Sequence, residues 1–181
     1  MLPVYALVLL SFWLARPTPI GFALGLVLIA AGEALRVWGA GHLVKNDVLT
    51  VTGPYAYVRN PLYAGTLAIG AGFAIAAGGV VGPVVAAAGL LLFFGYYFPY
   101  KERIESARLE RAYGEPYAAY RAAVSALWPS FTPWRLPTSD GQVVSAPWSA
   151  ARFADNDESG TLLAVVVGVI ALAIRPLLPI G

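Results

Sequence analysis

Side chains that can do chemistry are concentrated in two stretches of this 181-residue chain, residues 41–65 and residues 101–120. The first stretch contains Arg59, whose planar guanidinium group can bind a carboxylate or a phosphate through two parallel hydrogen bonds. The second stretch supplies a carboxylate at Glu105 and aromatic rings at several tyrosines. These residue types could together bind a small ligand that has charged and aromatic groups.

The composition excludes several kinds of catalytic site. The chain contains no cysteine, which rules out a thiol nucleophile, a disulfide framework and a cysteine-bound zinc ion. Its single histidine, His42, cannot form a histidine-rich metal site. We therefore expect a site that works without a metal ion.

The elements that must position these residues are membrane helices. The chain is 59% hydrophobic and 12% charged, and its mean hydropathy is +0.68, whereas an average soluble domain is about a quarter charged. A disordered chain has the opposite balance. Because no alternating pattern predicts the strands of a membrane barrel, the sequence predicts an all-α, polytopic transmembrane helical bundle.

Apolar stretches predict about five membrane spans. The apolar block at 62–100 is too long for one span, and its glycines and proline near residue 80 divide it into a helical hairpin. The first apolar stretch is short, but it lacks the basic start and the cleavage site of a signal peptide. The predicted spans lie at about 2–15, 20–44, 62–78, 83–100 and 161–180.

The spans divide the chain into two parts. Residues 1–135 form the predicted membrane core, which includes short cytoplasmic helices at about 101–126. Gly114 is expected to end one of these helices and Pro116 to open the next. Residues 136–181 are expected to form an interfacial segment followed by the C-terminal span.

The basic residues predict the orientation of the bundle. Of the twelve lysines and arginines, nine fall on one side of a five-span arrangement. The positive-inside rule makes that side cytoplasmic, with the N-terminus inside and the C-terminus outside. The basic residues thus report topology, and we expect no nucleic-acid partner. The nine residues are Lys45, Arg59, Lys101, Arg103, Arg108, Arg111, Arg121, Arg135 and Arg152.

Both stretches resemble the isoprenylcysteine carboxyl methyltransferase family of integral membrane enzymes, which is related to the phospholipid methyltransferases. The first signature of that family, Gly-x-Tyr followed by Arg-His-Pro-x-Tyr-x-Gly, matches residues 53–55 and 59–65. The second signature, Glu-Glu-x-x-Leu followed by Phe-Gly-x-x-Tyr-x-x-Tyr, matches Glu105, Leu109 and the run from Tyr113 to Tyr120. The resemblance covers about residues 33–133.

The chain departs from the family pattern at three positions. Asn60 stands where the family most often has histidine, Ser106 where it often has a second glutamate, and Tyr113 where it usually has phenylalanine. Asparagine cannot titrate, which argues against proton transfer at that position. The loss of the second carboxylate puts more weight on Glu105, together with Glu102.

The resemblance implies methyl transfer from S-adenosyl-L-methionine to a membrane-embedded or lipophilic acceptor, whose reacting group is a carboxylate, an amine or a thiol. The bilayer and a lipid acceptor are the implied partners, and no metal is implied. The implied catalytic residues are Arg59, Asn60 and Tyr63, and Arg59 is the best candidate among them to hold an anionic acceptor group. The implied cofactor-binding residues are His42, Gly53, Pro54, Tyr55, Pro61, Glu105, Tyr113, Tyr117 and Tyr120.

Structural interpretations of the same residues stay open at this point. Arg59 is also typical of a basic topology anchor, and the tyrosines are typical of an aromatic belt at the membrane surface. His42 is equally consistent with a structural role. Glu33 and Arg36 lie three residues apart within a span, so they either neutralise one another or contribute to the site. A non-catalytic membrane scaffold and a small transporter subunit are the alternative functions.

Overall fold

The computed structural model describes residues 10–44, 48–135 and 147–178, and the described residues form helices and connecting turns without any strand. The first long helix, α1 (Pro19–His42), begins at Thr18, whose hydroxyl group accepts a 3.1 Å hydrogen bond from the Gly21 amide. Pro19 occupies the first helical position, where no amide hydrogen is needed. After a short 3₁₀ turn (Gly53–Ala56), α2 runs over Pro61–Ala77 and again begins with a proline.

A continuous helical rod of 33 residues follows, from Val81 to Tyr113. It consists of α3 (Val81–Leu92), a π-helical turn (Phe93–Tyr97) and α4 (Phe98–Tyr113). Pro99 explains the π turn, because it lacks an amide hydrogen and its ring crowds the carbonyl group four residues earlier. The helix thus passes without a break from the predicted span at 83–100 into the predicted cytoplasmic region.

The remaining helices are shorter or lie near the C-terminus. Gly114 ends α4 with a φ angle of 54°, and α5 (Glu115–Ala123) starts directly after it, as the Gly114 and Pro116 pattern predicts. The chain continues, after the described part resumes, with α6 (Ala150–Asp155) and α7 (Glu158–Ile174). A 3₁₀ turn at Arg175–Leu177 follows α7.

Three helical stretches in the described part of the chain are long and apolar enough to cross a membrane: Pro19–His42, Val81–Tyr113 and Glu158–Leu177. The fourth apolar helix, Pro61–Ala77, has 17 residues, which is near the lower limit for a span. These helices confirm a membrane helical bundle. Most of the predicted span at 2–15 lies outside the described residues, so the count of five stays a prediction.

The close packing of α1 against α2 depends on glycines that face each other. A Cβ atom at Gly25 would lie 2.4 Å from the carbonyl oxygen of Gly72, and one at Gly32 would lie 2.7 Å from that of Gly65. Small residues of this kind let two membrane helices approach closely. This contact brings the C-terminal end of α1 and the N-terminal end of α2 together, and the candidate site lies at that end.

Candidate functional site

A cavity of about 560 Å³ lies between the segment that precedes α2, the inner face of α4 and the start of α5. Cavities of this size are typical of sites for small molecules and cofactors. Nine of the twelve residues that the sequence resemblance implicates line this cavity. They are Tyr55, Arg59, Asn60, Pro61, Tyr63, Glu105, Tyr113, Tyr117 and Tyr120.

The α4 side of the cavity comes from one face of that helix. Glu102, Ser106, Leu109 and Tyr113 recur every three or four positions, so their side chains share a face. Glu105 lies beside them and also lines the cavity. The opposite face of α4 is exposed and charged, which explains why the helix can extend beyond the apolar part of the rod.

The segment before α2 is held by the chain that follows α5. The Arg59 amide donates a 2.9 Å hydrogen bond to the carbonyl oxygen of Ser125, and the Asn60 amide donates a 3.1 Å bond to that of Ala126. Two further backbone bonds join Ser130 to Tyr57 and Trp134 to Ala56. The two segments therefore form one rigid wall of the cavity.

Four side chains form a closed ring of polar contacts that joins this wall to α4 and α5. Arg59 Nη2 lies 2.9 Å from Glu102 Oε1, and Ser106 Oγ donates a 3.1 Å bond to the same oxygen. The Tyr117 hydroxyl donates a 2.8 Å bond to Ser106 Oγ and accepts a 3.3 Å bond from Arg59 Nη1. Each member orients the next, so the guanidinium group has a defined direction.

Arg59 is fully engaged in this structure. Its side chain is only 11% exposed, and its third nitrogen, Nε, donates a 2.9 Å bond to the carbonyl oxygen of Val124. A carboxylate of the protein, Glu102, already occupies the position expected for an anionic substrate group. Arg59 therefore orients the wall of the cavity, and an incoming anion would have to compete with Glu102 for it.

Glu102 is a cavity-lining residue to which the sequence pattern gave too little weight. Besides Arg59 and Ser106, it accepts a 3.2 Å hydrogen bond from Asn60 Nδ2, and Asn60 Nδ2 also donates to the carbonyl oxygen of Ala126 at 3.1 Å. The spacing of four between Glu102 and Ser106 on one helix could have indicated this pairing.

Glu105 joins the two signatures directly. Its Oε1 accepts a 2.8 Å hydrogen bond from the Tyr63 hydroxyl group. The ring of Tyr63 is in edge-to-face contact with Tyr97 and Phe98, at centroid distances of 5.8 and 6.1 Å. Tyr97 in the π turn and Phe98 at the start of α4 thus support the ring of Tyr63. Tyr63 in turn holds the Glu105 carboxylate from one side.

Buried tyrosines form the base of the cavity. Tyr120 is 3% exposed, and its hydroxyl group donates a 2.7 Å bond to the carbonyl oxygen of Tyr55. Burial raises the pKa of Tyr120 well above the usual value for tyrosine, and it raises the pKa of Tyr55 in the same direction. Both phenols are therefore neutral around pH 7. Tyr120 also belongs to a buried hydrophobic cluster with Leu49, Val51, Tyr117 and Val124.

Three residues implicated by the resemblance do not line the cavity. His42 Nδ1 lies 2.9 Å from the carbonyl oxygen of Trp38, one turn earlier in α1. Gly53 has a φ angle of 60°, and a Cβ atom there would lie 2.6 Å from the His42 ring. Pro54 is fully buried. These residues support the 3₁₀ turn behind Tyr55, which does line the cavity.

The intramembrane charges are arranged differently from the expected pair. Arg36 Nη2 contacts Glu158 Oε2 at 2.5 Å, so its partner comes from α7. Both carboxylate oxygens of Glu33 are buried and have no hydrogen-bond partner in the described part of the chain. The hydrogen-bonded carboxylate partner of Arg36 is therefore Glu158, which lies 122 residues away in the chain, and not Glu33.

The arrangement suits a small, partly charged ligand. Two carboxylates, Glu102 and Glu105, and two arginines, Arg59 and Arg108, line a cavity whose other lining residues are mostly aromatic and aliphatic. Among the residues that the structure describes, no group of three or more histidine, aspartate or glutamate side chains is placed to hold a metal ion. The cavity can bind, orient and desolvate a ligand.

Comparison with known proteins identifies one family. A family model described as phospholipid methyltransferase matches residues 20–116, which is more than half of the chain. No curated protein and no solved structure gives a significant match. The matched region contains both Arg59 and Glu102, whereas Tyr117 and the residues that follow it lie beyond the match.

Proposed function

Since this chain belongs to the phospholipid methyltransferase family, an integral membrane family that methylates lipid-like substrates, we propose that its methyl donor is S-adenosylmethionine. We further propose that its acceptor is a membrane-embedded or lipophilic molecule that presents a carboxylate, an amine or a thiol. The observation that carries this proposal is that both signatures line one cavity, in which Tyr63 and Glu105, 42 residues apart in the chain, are hydrogen-bonded.

The side chains present suit such a donor. S-adenosylmethionine supplies an electrophilic methyl group on a sulfonium centre, and it also carries an adenine ring, ribose hydroxyls and an amino-acid group. Glu105 would hold a positively charged part of the cofactor, and Tyr113 offers an aromatic face and a hydroxyl group. Leu109 and Leu49 offer apolar surface. The cavity volume of about 560 Å³ is sufficient for a ligand of this class.

The three implied catalytic residues of the first signature, Arg59, Asn60 and Tyr63, would align the acceptor. Asn60 and Tyr63 line the cavity, and both are fixed by carboxylates of α4. Arg59 is held by three partners, so it positions this wall without having to move. In a displacement reaction, alignment and exclusion of water contribute most of the rate enhancement. The chain supplies both through a preformed polar ring and an aliphatic lining.

The proposed orientation places this cavity on the cytoplasmic side. Nine of the twelve basic residues would then lie inside, with the N-terminus inside and the C-terminus outside. Reporter fusions at Gly79 and at Gly181 should both report the outside. Opposite sides for these two positions would contradict the five-span arrangement.

Binding and transfer experiments test the proposed function. The purified chain in lipid nanodiscs should bind S-adenosylhomocysteine in calorimetry, and it should transfer isotopically labelled methyl groups from S-adenosylmethionine to a lipophilic acceptor. Vesicles of phosphatidylethanolamine, a farnesylated cysteine and an alkyl thiol serve as three acceptor probes. A folded protein that neither binds S-adenosylhomocysteine nor transfers the labelled methyl group would favour the scaffold or transporter alternatives.

A further inference from the structure

The region after residue 146 contacts the end of α1. Asn156 Nδ2 donates hydrogen bonds to the carbonyl oxygens of Ala40 at 2.8 Å and of Leu43 at 3.0 Å. Carbonyl groups at the end of a helix lack the amide partners that they have in the interior. Asn156, which is 9% exposed, therefore caps α1. It also orients Leu43, which lines the cavity.

A second contact joins the same region to α2. Glu158 and Arg36 form a contact at 2.5 Å, with side chains that are 9% and 12% exposed. Arg36 Nη1 donates to the carbonyl oxygen of Leu62 at 3.1 Å and to Thr66 Oγ1 at 2.6 Å. Leu62 lines the cavity and lies in the first turn of α2, between Pro61 and Tyr63. Glu158 therefore fixes the guanidinium group that holds this turn.

The last glycine of the first signature makes room for this contact. A Cβ atom at Gly65 would lie 2.6 Å from Arg36 Cγ and 2.7 Å from the carbonyl oxygen of Gly32. A larger residue would displace either the aliphatic part of Arg36 or the backbone of α1. Glycine at position 65 therefore leaves room for the Arg36 side chain, which bonds to both Glu158 and the carbonyl oxygen of Leu62.

We propose that Glu158 and Asn156 are positioning residues for methyl transfer, which set the α1 and α2 walls of the cavity through Arg36 and Leu43. This inference rests on the proposed function. Both residues lie outside the region matched by the family model, residues 20–116. The C-terminal part of this chain is therefore a component of the site, and its removal would leave two lining residues, Leu43 and Leu62, without their supports.

The contacts also predict which kinetic constant changes. Glu105 and Tyr113, which would hold the donor, belong to α4, whereas Glu158 and Asn156 act on α1 and α2. Loss of either positioning residue should lower kcat and leave the KM for the donor nearly unchanged. We expect kcat to fall by roughly tenfold to a hundredfold, because a displacement of about 1 Å can reduce a rate by about a hundredfold.

The variants are chosen to separate positioning from folding. Glu158→Gln leaves the Arg36 charge without its carboxylate, which can unfold a buried site. The double variant Arg36→Met with Glu158→Leu removes both charges and the bond to Leu62 together. Asn156→Ala independently tests the contact that caps the end of α1. Asp157→Asn is the matched control, since Asp157 is exposed, makes no capping hydrogen bond and adjoins Glu158.

A labelling experiment reads out the wall directly. Because the chain has no cysteine, a Leu62→Cys substitution gives a single thiol in the cavity lining. In nanodiscs, we expect maleimide to react with this thiol several-fold faster when Asn156→Ala or the double variant is also present, and at an unchanged rate with Asp157→Asn.

The outcomes are distinct. Faster labelling together with a lower kcat and an unchanged donor KM supports the proposal. Unchanged labelling in both Asn156→Ala and the double variant overturns it, as does an unchanged kcat in both. A wild-type protein that does not bind S-adenosylhomocysteine contradicts the proposed function and with it the catalytic role, whereas the labelling rates still decide whether the C-terminal region positions the wall.

Discussion

The Tyr117 hydroxyl group donates a 2.8 Å hydrogen bond to Ser106 Oγ, and this bond closes the ring that orients Arg59. Ser106 stands where the resembling family often has a second glutamate. Its hydroxyl group accepts from Tyr117 and donates to Glu102, which an ionised carboxylate could not do because it only accepts. The serine therefore allows one carboxylate, Glu102, to serve Arg59 and Asn60 together.

Because Tyr117 and Ser106 belong to one ring of hydrogen bonds, we expect the effects of Tyr117→Phe and Ser106→Ala to be coupled. Each substitution should reduce the free energy of unfolding by about 0.5–1.5 kcal/mol. The double variant should lose less than the sum, with a coupling energy of about 0.5–1 kcal/mol. Unfolding in detergent measures the stabilities of the wild type, the two single variants and the double variant. Tyr96→Phe, at an exposed position, is the control. Strict additivity would show that the two hydroxyl groups act independently.

Glu105→Gln should weaken the binding of S-adenosylmethionine by about tenfold or more, since a hydrogen bond to a charged group contributes about 1.5–3 kcal/mol. The amide oxygen of glutamine can still accept from Tyr63, so mainly the charge is lost. S-adenosylhomocysteine, which lacks the sulfonium charge, should lose less affinity. Calorimetry with both ligands makes the comparison.

Glu110→Gln is the matched control for that experiment. Glu110 lies on the same helix, and its contact with Arg121 is 3.6 Å long and exposed, so it contributes little. If Glu105→Gln and Glu110→Gln bind S-adenosylmethionine with equal affinity, Glu105 does not contact the cofactor.

Arg59→Lys should reduce turnover much more than it reduces donor binding. Lysine keeps the charge but cannot reach Val124, Tyr117 and Glu102 at once, because it lacks the planar group with three nitrogens. The resulting displacement of Asn60 and Tyr63 should lower kcat by about a hundredfold. Loss of donor binding with an intact fold would place Arg59 in the cofactor pocket, and full activity would make it a topology anchor.

Gly25→Ala should destabilise the bundle by about 1–3 kcal/mol, because the added methyl group meets the backbone of α2 and the helices must separate. Gly70→Ala is the matched control, since a Cβ atom there meets nothing within 4 Å in the described residues. Thermal unfolding in one detergent compares the two. A similar melting temperature for both variants would contradict the close approach of α1 and α2.

The buried tyrosines predict a loss of stability in alkaline solution. The pKa values of Tyr55 and Tyr120 are raised in the folded state, so the unfolded state releases their protons first as the pH rises. Their contribution is fully present below the ordinary tyrosine pKa of about 10 and is lost progressively above it. Tyrosinate absorbance together with unfolding measurements should show stability that is constant from about pH 7 to 9 and falls above about pH 10. Titration of every tyrosine before unfolding would contradict the burial of these two.

The class of the protein and the location of its candidate site could be predicted from local sequence. An excess of apolar residues with few charges predicts a membrane protein, and the absence of an alternating strand pattern leaves a helical bundle, in which each helix satisfies its own backbone hydrogen bonds in lipid. Pro61 and Gly114 mark helix ends through their backbone preferences alone. The order and spacing of the two signatures indicated one shared site, and the structure places nine of the twelve implicated residues around one cavity.

Only the tertiary structure decided which distant groups meet. The pairing of Arg36 with Glu158 spans 122 residues, and the ring of Arg59 depends on how α5 folds back over α4. Helical periodicity tells which residues share a face of one helix, but it carries no information about which helix packs on that face. That packing determines which partner a buried charge contacts. Arg36 therefore contacts Glu158 at the start of α7, although Glu33 is its neighbour in the chain.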